Sequence, residues 1–150
     1  MNGVLIIDDS LPPLILIRIE GVLSDEQFVQ VMTRLWGRTP ESRGYVCIMD
    51  LRQSSLPPIA SLHRHARWRR DPDPGLRERI LGVAFIITST PIRLALSFLL
   101  HSNSNPRPYT VVADLESATR FVLGKLEEAG LGSEAAHIRR QLALRGLPPG

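Results

Sequence analysis

Side chains that could do chemistry are few in this sequence, and their spacing does not assemble a catalytic motif. The single cysteine, Cys47, lies inside the apolar run of residues 45–49. A reactive thiol needs exposure and a neighbouring base, so this pattern predicts a buried structural cysteine. His63 and His65 would point in different directions from a helix, which is poor spacing for a shared metal ion. The sequence also lacks a phosphate loop and a nucleophile elbow, so we expect no catalytic residue, metal or cofactor.

Two aspartates, Asp50 and Asp114, are candidates for a ligand site, because each lies at the end of an apolar run that predicts a strand. Ligand sites of α/β proteins form at the carboxyl ends of strands. The alternative is that each aspartate caps a turn or a helix. Ser54 and Ser55 follow the first of these strands in a predicted loop, either as modifiable residues or as turn residues that satisfy the local backbone. An enzyme with a pocket at Asp50, Ser54 and Asp114 is an alternative to a binding function.

The most basic run of the chain, residues 63–70, contains Arg64, Arg67 and Trp68. A helix is predicted here, and its core face consists of three apolar residues, Ile59, Leu62 and Ala66. Arg64 and Trp68 would lie about opposite that face. A tryptophan among arginines on a solvated surface is typical of a contact with a protein partner. The alternative is that the helix rotates or unwinds, so that Trp68 packs under the loop at residues 71–75.

Alternating strands and helices must position these residues. The patterns predict strands at 4–7, 14–20, 45–51, 80–88 and 109–113, and helices at 24–36, 58–70, 91–101, 115–129 and 133–144. Ser24 and Gln27 form a capping box, while Asp114 and Ser133 are the predicted caps of the last two helices. This order predicts an α/β fold, with a mixed sheet of about five strands, helices packed on it and an extra C-terminal helix.

Residues 80–100 are almost wholly apolar and are long enough to cross a bilayer. Hydroxyls and a proline at residues 88–91 are a helix-start signal, and Arg93 would cost about 2.5 kcal/mol or more at mid-membrane. We therefore expect a buried strand followed by an apolar helix and no transmembrane segment. The helix from Ile92 to Leu100 must be covered by the core, by a ligand or by a second chain, which makes a homodimer through this helix one alternative.

The composition fits one globular domain, with 150 residues of which 43% are hydrophobic. We expect a domain at residues 1–131, followed by a C-terminal helix and a frayed tail at residues 132–150. The net charge is +3, but Lys125 is the only lysine and no nucleic-acid-binding motif accompanies it, so no nucleic acid is expected as a partner. The single cysteine and the absence of a basic n-region at the N-terminus predict a cytoplasmic protein.

Three segments resemble the STAS domain, the fold of bacterial anti-sigma-factor antagonists, and its divergent STAS-like relatives. They are residues 45–52, with a buried strand ending in Asp-Leu, residues 81–87, and residues 111–121, which resemble the terminal strand and helix of such domains. The resemblance implies a non-catalytic regulatory module. In regulatory STAS domains a kinase phosphorylates a serine in an Asp-Ser-Ser-Gly motif, and here the equivalent stretch carries Ser54 and Ser55 without the flanking aspartate and glycine. A phosphate near a helix start would be electrostatically tolerable, because free amides and the helix dipole favour negative charge there.

Two functional hypotheses follow. In the first, the chain is a regulatory or scaffolding module that binds a protein partner through the loop and helix after the third strand, with Arg64, Arg67 and Trp68 as contact residues. In the second, it carries or senses a small apolar ligand or lipid, because STAS-like domains are similar in fold to CRAL-TRIO lipid carriers. The apolar helix from Ile92 to Leu100 would then contact the ligand.

Overall fold

The structure is a computed structural model that describes residues 3–36, 44–56, 58, 60–61, 63–65, 80–101 and 108–145. The strands are β1 (Val4–Leu11), β2 (Leu14–Val22), β3 (Tyr45–Ser55), β4 (Ile80–Ile86) and β5 (Tyr109–Val112). The helices with defined bounds are α1 (Asp25–Trp36), α2 (Thr90–His101), α3 (Leu115–Glu128) and α4 (Gly132–Leu144). Residues 60–61 and 63–65 are also helical and are called the helical segment below.

The five strands form one mixed sheet whose spatial order, β1-β2-β3-β4-β5, is the same as their order in the sequence. β1 and β2 pair in antiparallel fashion, whereas β2, β3, β4 and β5 pair in parallel. Parallel neighbours need crossover connections, and the alternating helices supply them. The predicted α/β class and the predicted five-stranded mixed sheet are confirmed.

The centre of the sheet is buried on both faces, as the apolar run at the start of β3 predicts. Tyr45 and Cys47 point into a core layer under α1 and α2, where they meet Phe28 and Leu96. The predicted structural role of Cys47 is confirmed, since this thiol is fully buried and burial raises its pKa to about 12.

The opposite face of β3 packs on α3 and α4. Val46 and Ile48 meet Val122 and Leu126 of α3 there. Gly82 of β4 allows the close approach of this helix, because a β-carbon at that position would lie 2.8 Å from the Lys125 side chain. α3 therefore crosses the sheet at the one place where β4 has no side chain.

Two of the predicted helix caps are observed directly. The Ser24 hydroxyl accepts the Gln27 amide at 3.1 Å, and the Gln27 side chain accepts the Ser24 amide at 3.0 Å. Asp114 accepts the Ser117 amide at 2.7 Å at the start of α3. The prediction for Ser133 is wrong, because α4 begins at Gly132 and has no side-chain cap. Burial of Leu131, the residue before α4, fixes that helix start instead.

β1 is longer than predicted, because residues 8–11 continue the strand and do not form the expected turn. The two carboxylates of this stretch are held by arginines from opposite sides of the molecule. Asp9 pairs with Arg34 of α1, and Asp8 lies 3.6 Å from Arg145, which follows α4. These long-range ion pairs stabilise an extended backbone that the local sequence does not favour.

The stretch that imitates a membrane span is divided between β4 and α2, as predicted. No helix in the described part of the chain has both the length and the apolar character needed to cross a membrane. Ile92, Leu96 and Leu100 face the core, so one side of α2 is covered by the chain itself.

α4 packs in the same core layer as α3. Truncation of a buried side chain of α4 should therefore lower the free energy of unfolding. Ile138 is fully buried against α3, whereas Leu144, in the same helix, is 79% exposed. We expect Ile138→Ala to lower the free energy of unfolding by about 2–5 kcal/mol and Leu144→Ala to change it by about 0.5 kcal/mol or less. Urea denaturation measures both values, and equal effects of the two substitutions would contradict this packing.

Candidate functional site

The helical segment is attached to α1 by a polar cluster of three residues, Asp25, Arg64 and His65. Arg64 donates from Nε to Asp25 Oδ2 at 2.8 Å, and its Nη2 forms an ion pair with the same oxygen at 2.8 Å. His65 Nε2 lies 3.2 Å from Asp25 Oδ1. The His65 ring also stacks on Phe28, with the ring centroids 4.0 Å apart. Asp25 lies in the first turn of α1, where the helix dipole favours a carboxylate.

The electrostatics of this cluster are set by the two partners of the carboxylate. The hydrogen bond from Arg64 holds the pKa of Asp25 below its ordinary value. Burial lowers the pKa of His65, although the hydrogen bond to Asp25 acts in the opposite direction. The imidazole is therefore neutral at neutral pH and works as a buried packing group that also contacts a carboxylate.

The burial of His65 was not predicted. The predicted core face of this helix, Ile59, Leu62 and Ala66, lies outside the described residues, and so do Arg67 and Trp68. Arg64 is described and is partly exposed, as predicted, but its guanidinium is tied to Asp25 and to the Ser61 hydroxyl. No local pattern could have identified His65, because its contacts come from α1, forty positions earlier in the chain.

An apolar cavity of about 100 Å³ lies beside this cluster, between α1, α2, the helical segment and the sheet. Its walls include Phe28 and Met32 of α1 and Leu96 of α2. Among the lining residues that the structure describes, three are polar: His65, Ser54 and Ser55. The arrangement offers an apolar interior with a small polar rim, which suits a small hydrophobic group.

Ser54 and Ser55 lie at the end of β3, so the predicted loop placement is wrong. They pair in register with Gly21 and Val22, which extends β3 beyond its apolar run. The Ser54 hydroxyl donates to the Leu51 carbonyl at 2.8 Å, whereas Ser55 is exposed. Phosphorylation of either serine stays a prediction.

Asp50 and Asp114 are each engaged with neighbouring groups. Asp50 accepts hydrogen bonds from the backbone amide and the guanidinium of Arg52, and Arg18 lies 3.9 Å away. Burial raises the pKa of Asp50, but the hydrogen bonds from Arg52 outweigh it and hold the pKa below its ordinary value. The backbone hydrogen bond from Ser117 likewise lowers the pKa of Asp114.

The prediction that Asp50 lies at the carboxyl end of its strand is wrong, because β3 continues for five more residues to Ser55. Asp50 is nevertheless level with Ile86, the last residue of β4. A cleft of about 200 Å³ on this face is lined by Asp50, Arg18 and Leu115, the residue after Asp114, among others. Arg52, which is bound to Asp50, also interacts electrostatically with Asp114, so the two aspartates lie near one another. A ligand site there stays a prediction.

The outer side of α2 carries an apolar surface that the sequence did not single out. Leu94 is 66% exposed and Phe98, one turn later, is 40% exposed. The His63 ring contacts Phe98 edge-on, with the centroids 5.4 Å apart. These three residues are called the α2 patch. Their signal was available in the sequence, because positions 94 and 98 fall off the buried stripe of Ile92 and Leu96.

The side chains that could bind a metal ion are dispersed in the described part of the chain. In the ranges that the structure describes, no group of three or more histidine, cysteine, aspartate or glutamate side chains could hold a metal ion. His63 and His65 diverge as expected, because His63 contacts α2 whereas His65 contacts α1.

His65 gives the protein a specific pH dependence. Since its pKa is below the ordinary histidine value of 6.5 in the folded state, the unfolded chain binds the proton first on acidification. The free energy of unfolding should fall as the pH drops from about 7 to about 5, a range in which Asp25 stays ionised. Denaturant titrations should show a smaller fall for His65→Leu and an unchanged fall for the control Leu144→Ala, at an exposed residue that does not titrate. Equal pH profiles for the wild type and His65→Leu would contradict the assignment.

Comparison with known proteins identifies the fold. No protein-family model matches the sequence, and no curated protein matches it either. An uncharacterized protein of the DUF3478 family with a SpoIIAA-like fold, from Shewanella loihica PV-4, superposes with a TM-score of 0.54 at 14% identity, over 81% of this chain and 94% of that one. An anti-sigma factor antagonist from Mycobacterium paratuberculosis gives a TM-score of 0.49 at 13% identity, with the same coverage. The first likeness confirms the expected fold: the chain has a divergent STAS-like, SpoIIAA-like fold.

Proposed function

We propose that the chain is a non-catalytic, cytoplasmic module that regulates or scaffolds by binding a protein partner through the surface that follows β3. The α2 patch is the observation that carries this proposal. Phe98 presents an aromatic ring at the surface, with Leu94 one helical turn away and His63 of the helical segment against its edge. Exposed aromatic residues with apolar neighbours are typical centres of protein interfaces.

The charges around the patch favour a partner of a particular chemistry. α2 contains no acidic residue, and its one full charge is Arg93, which is exposed. The basic run at residues 63–70 begins at His63, which belongs to the α2 patch, and we retain Arg64, Arg67 and Trp68 as contact residues in the proposal. A segment that inserts an apolar side chain beside Phe98 and carries flanking carboxylates is therefore the partner that fits best.

Phosphorylation would change the charge of this surface. Ser55 is exposed at the end of β3, nine positions before Arg64 in the sequence. A phosphate adds about −1.5 to −2 charges at neutral pH, which would oppose an acidic partner. We propose Ser54 and Ser55 as the regulated positions, as the resemblance to regulatory STAS domains implies.

The binding surface can be tested with charge-neutral truncations. The wild type should retain its partner in an affinity capture. We expect the double variant Leu94→Ala, Phe98→Ala to lose that partner, because the apolar anchor is gone. Val29→Ala, at a partly exposed valine on α1, is the matched control. Quantitative mass spectrometry with isotope-labelled samples compares the proteins captured from the native host by each variant and measures the loss. Identical partner lists for the wild type and the double variant would contradict the surface.

The apolar cavity favours a second candidate function, binding of a small apolar ligand. In another protein an engineered apolar cavity of about 150 Å³ binds benzene or xenon, so a volume of about 100 Å³ is enough for a group of a few heavy atoms. A longer ligand would place its apolar end against Leu96 and its remaining part at the rim formed by Ser54 and Ser55. This proposal uses the inner side of α2, whereas the protein-binding proposal uses the outer side.

Native mass spectrometry of freshly purified protein tests the cavity. We expect the wild type to carry a bound apolar mass and Ala95→Phe, which adds a ring at a residue of the cavity wall, to carry none. Leu94→Phe, at the neighbouring exposed position, is the matched control and should keep the bound mass. A ligand-free mass for the wild type in every charge state would contradict this function.

A further inference from the structure

β1 is an edge strand, and its outer edge is available for pairing. It lies at one end of the sheet order, and in the described ranges no strand other than β2 pairs with it. With eight residues it is twice as long as β5, the strand at the other edge. Val4 is 52% exposed and Ile6 is 46% exposed. Both side chains point to the same face, because side chains two positions apart share a face of a strand.

The backbone of this strand is oriented for pairing with another strand. Gly3 donates its amide to the Val22 carbonyl of β2 at 2.9 Å. The direction of backbone amides and carbonyls alternates along a strand, and the hydrogen bond from the Val46 amide of β3 to the Pro13 carbonyl sets this alternation in β2, so that the groups of Arg18 point to β1. Ile6 pairs with Arg18, so the groups of Leu5 and Ile7 are the ones that point away from β2. The register with β2 runs without interruption from Val4 to Asp8, which keeps this alternation regular.

The usual protection of an edge strand is weak here. Natural edges are shielded by lysines, prolines, free charges or short strand length. β1 contains neither lysine nor proline. Its two carboxylates are neutralised within the molecule, since Asp8 pairs with Arg145 and Asp9 pairs with Arg34. The N-terminal half, residues 4–7, is wholly aliphatic.

We propose that a second copy of this chain adds to the β1 edge, so that two β1 strands pair in antiparallel fashion across a two-fold axis. The segment is its own complement. In a two-fold antiparallel pair, side chains on the same face of the two strands lie opposite each other. Val4 then lies opposite Ile6 of the second copy in one register, and Ile6 lies opposite Ile6 of the second copy in another. Either register buries the exposed aliphatic side chains and supplies hydrogen-bond partners for the outward backbone groups.

The ion pairs of Asp8 and Asp9 within the chain favour a second copy as the binding partner of β1 over a positively charged peptide. A basic peptide would need free carboxylates on the strand, and both are already paired with arginines. Two copies of β1 meet without charge repulsion for the same reason. The contact is small, so the dimer should be weak and dependent on protein concentration.

The proposal is tested by sedimentation velocity over a wide range of protein concentration. The wild type should shift from monomer to dimer, and Ile6→Lys should raise the dissociation constant by about tenfold or more, because an ammonium group would be buried at the pairing edge. Leu56→Lys, at a residue after β3 that is 50% exposed, is the matched control, and it should dimerise as the wild type does. Leu94→Lys tests dimerisation through α2 instead.

A wild type that is monomeric at every concentration overturns the proposal, and so does a dimer that Leu94→Lys dissociates while Ile6→Lys does not. Hydrogen exchange keeps the test decisive if Ile6→Lys unfolds. The wild-type amides of Leu5 and Ile7 should become protected as the concentration rises, while those of β5 should not. Exchange that is independent of concentration at Leu5 and Ile7 would overturn the proposal as well.

Discussion

Burial of β3 on both faces is the constraint on which the rest of the structure depends. Tyr45, Val46, Cys47 and Ile48 alternate between the two faces and have almost no solvent exposure. A strand of this kind must have a neighbour on each edge and a layer of helices on each face. β2 and β4 supply the edges, α1 and α2 cover one face, and α3 and α4 cover the other. Most of the fold is therefore a consequence of one apolar run in the middle of the chain.

Coverage of the sheet stops where the strands become polar. Beyond Ile48, the face of the sheet under α3 carries Asp50 and, on the neighbouring strand, Arg18, which form a network with Arg52. Charged side chains there leave a cleft and not a packed layer, because their desolvation would outweigh the gain from burial. On the other face the helical segment is attached partly through the contact of His65 with Asp25, and an apolar cavity remains beside it. Both candidate sites thus lie where the two helical layers end.

The sequence predicted those features whose interactions are local. The Ser24–Gln27 box and the Asp114 cap were correct because each is complete within four residues, and the strand and helix order followed from hydrophobic periodicity. Features set by distant partners were missed. β3 extends to Ser55 because β2 offers Gly21 and Val22 as partners. The burial of His65 is set by α1, whose residues are far away in the sequence, so helical periodicity could not reveal it.

Exposed apolar residues are informative only where folding does not require them and where they are grouped. Leu144 and Val29 are exposed singly, which is ordinary on any protein surface. α2 needs apolar residues only on its inner stripe, so neither Leu94 nor Phe98 is explained by the core. The two are neighbours on one helical turn, and Phe98 is contacted by His63 from a separate element. Because this grouping joins two elements without contributing to the core, we base the proposed function on the surface after β3 and not on the strand ends.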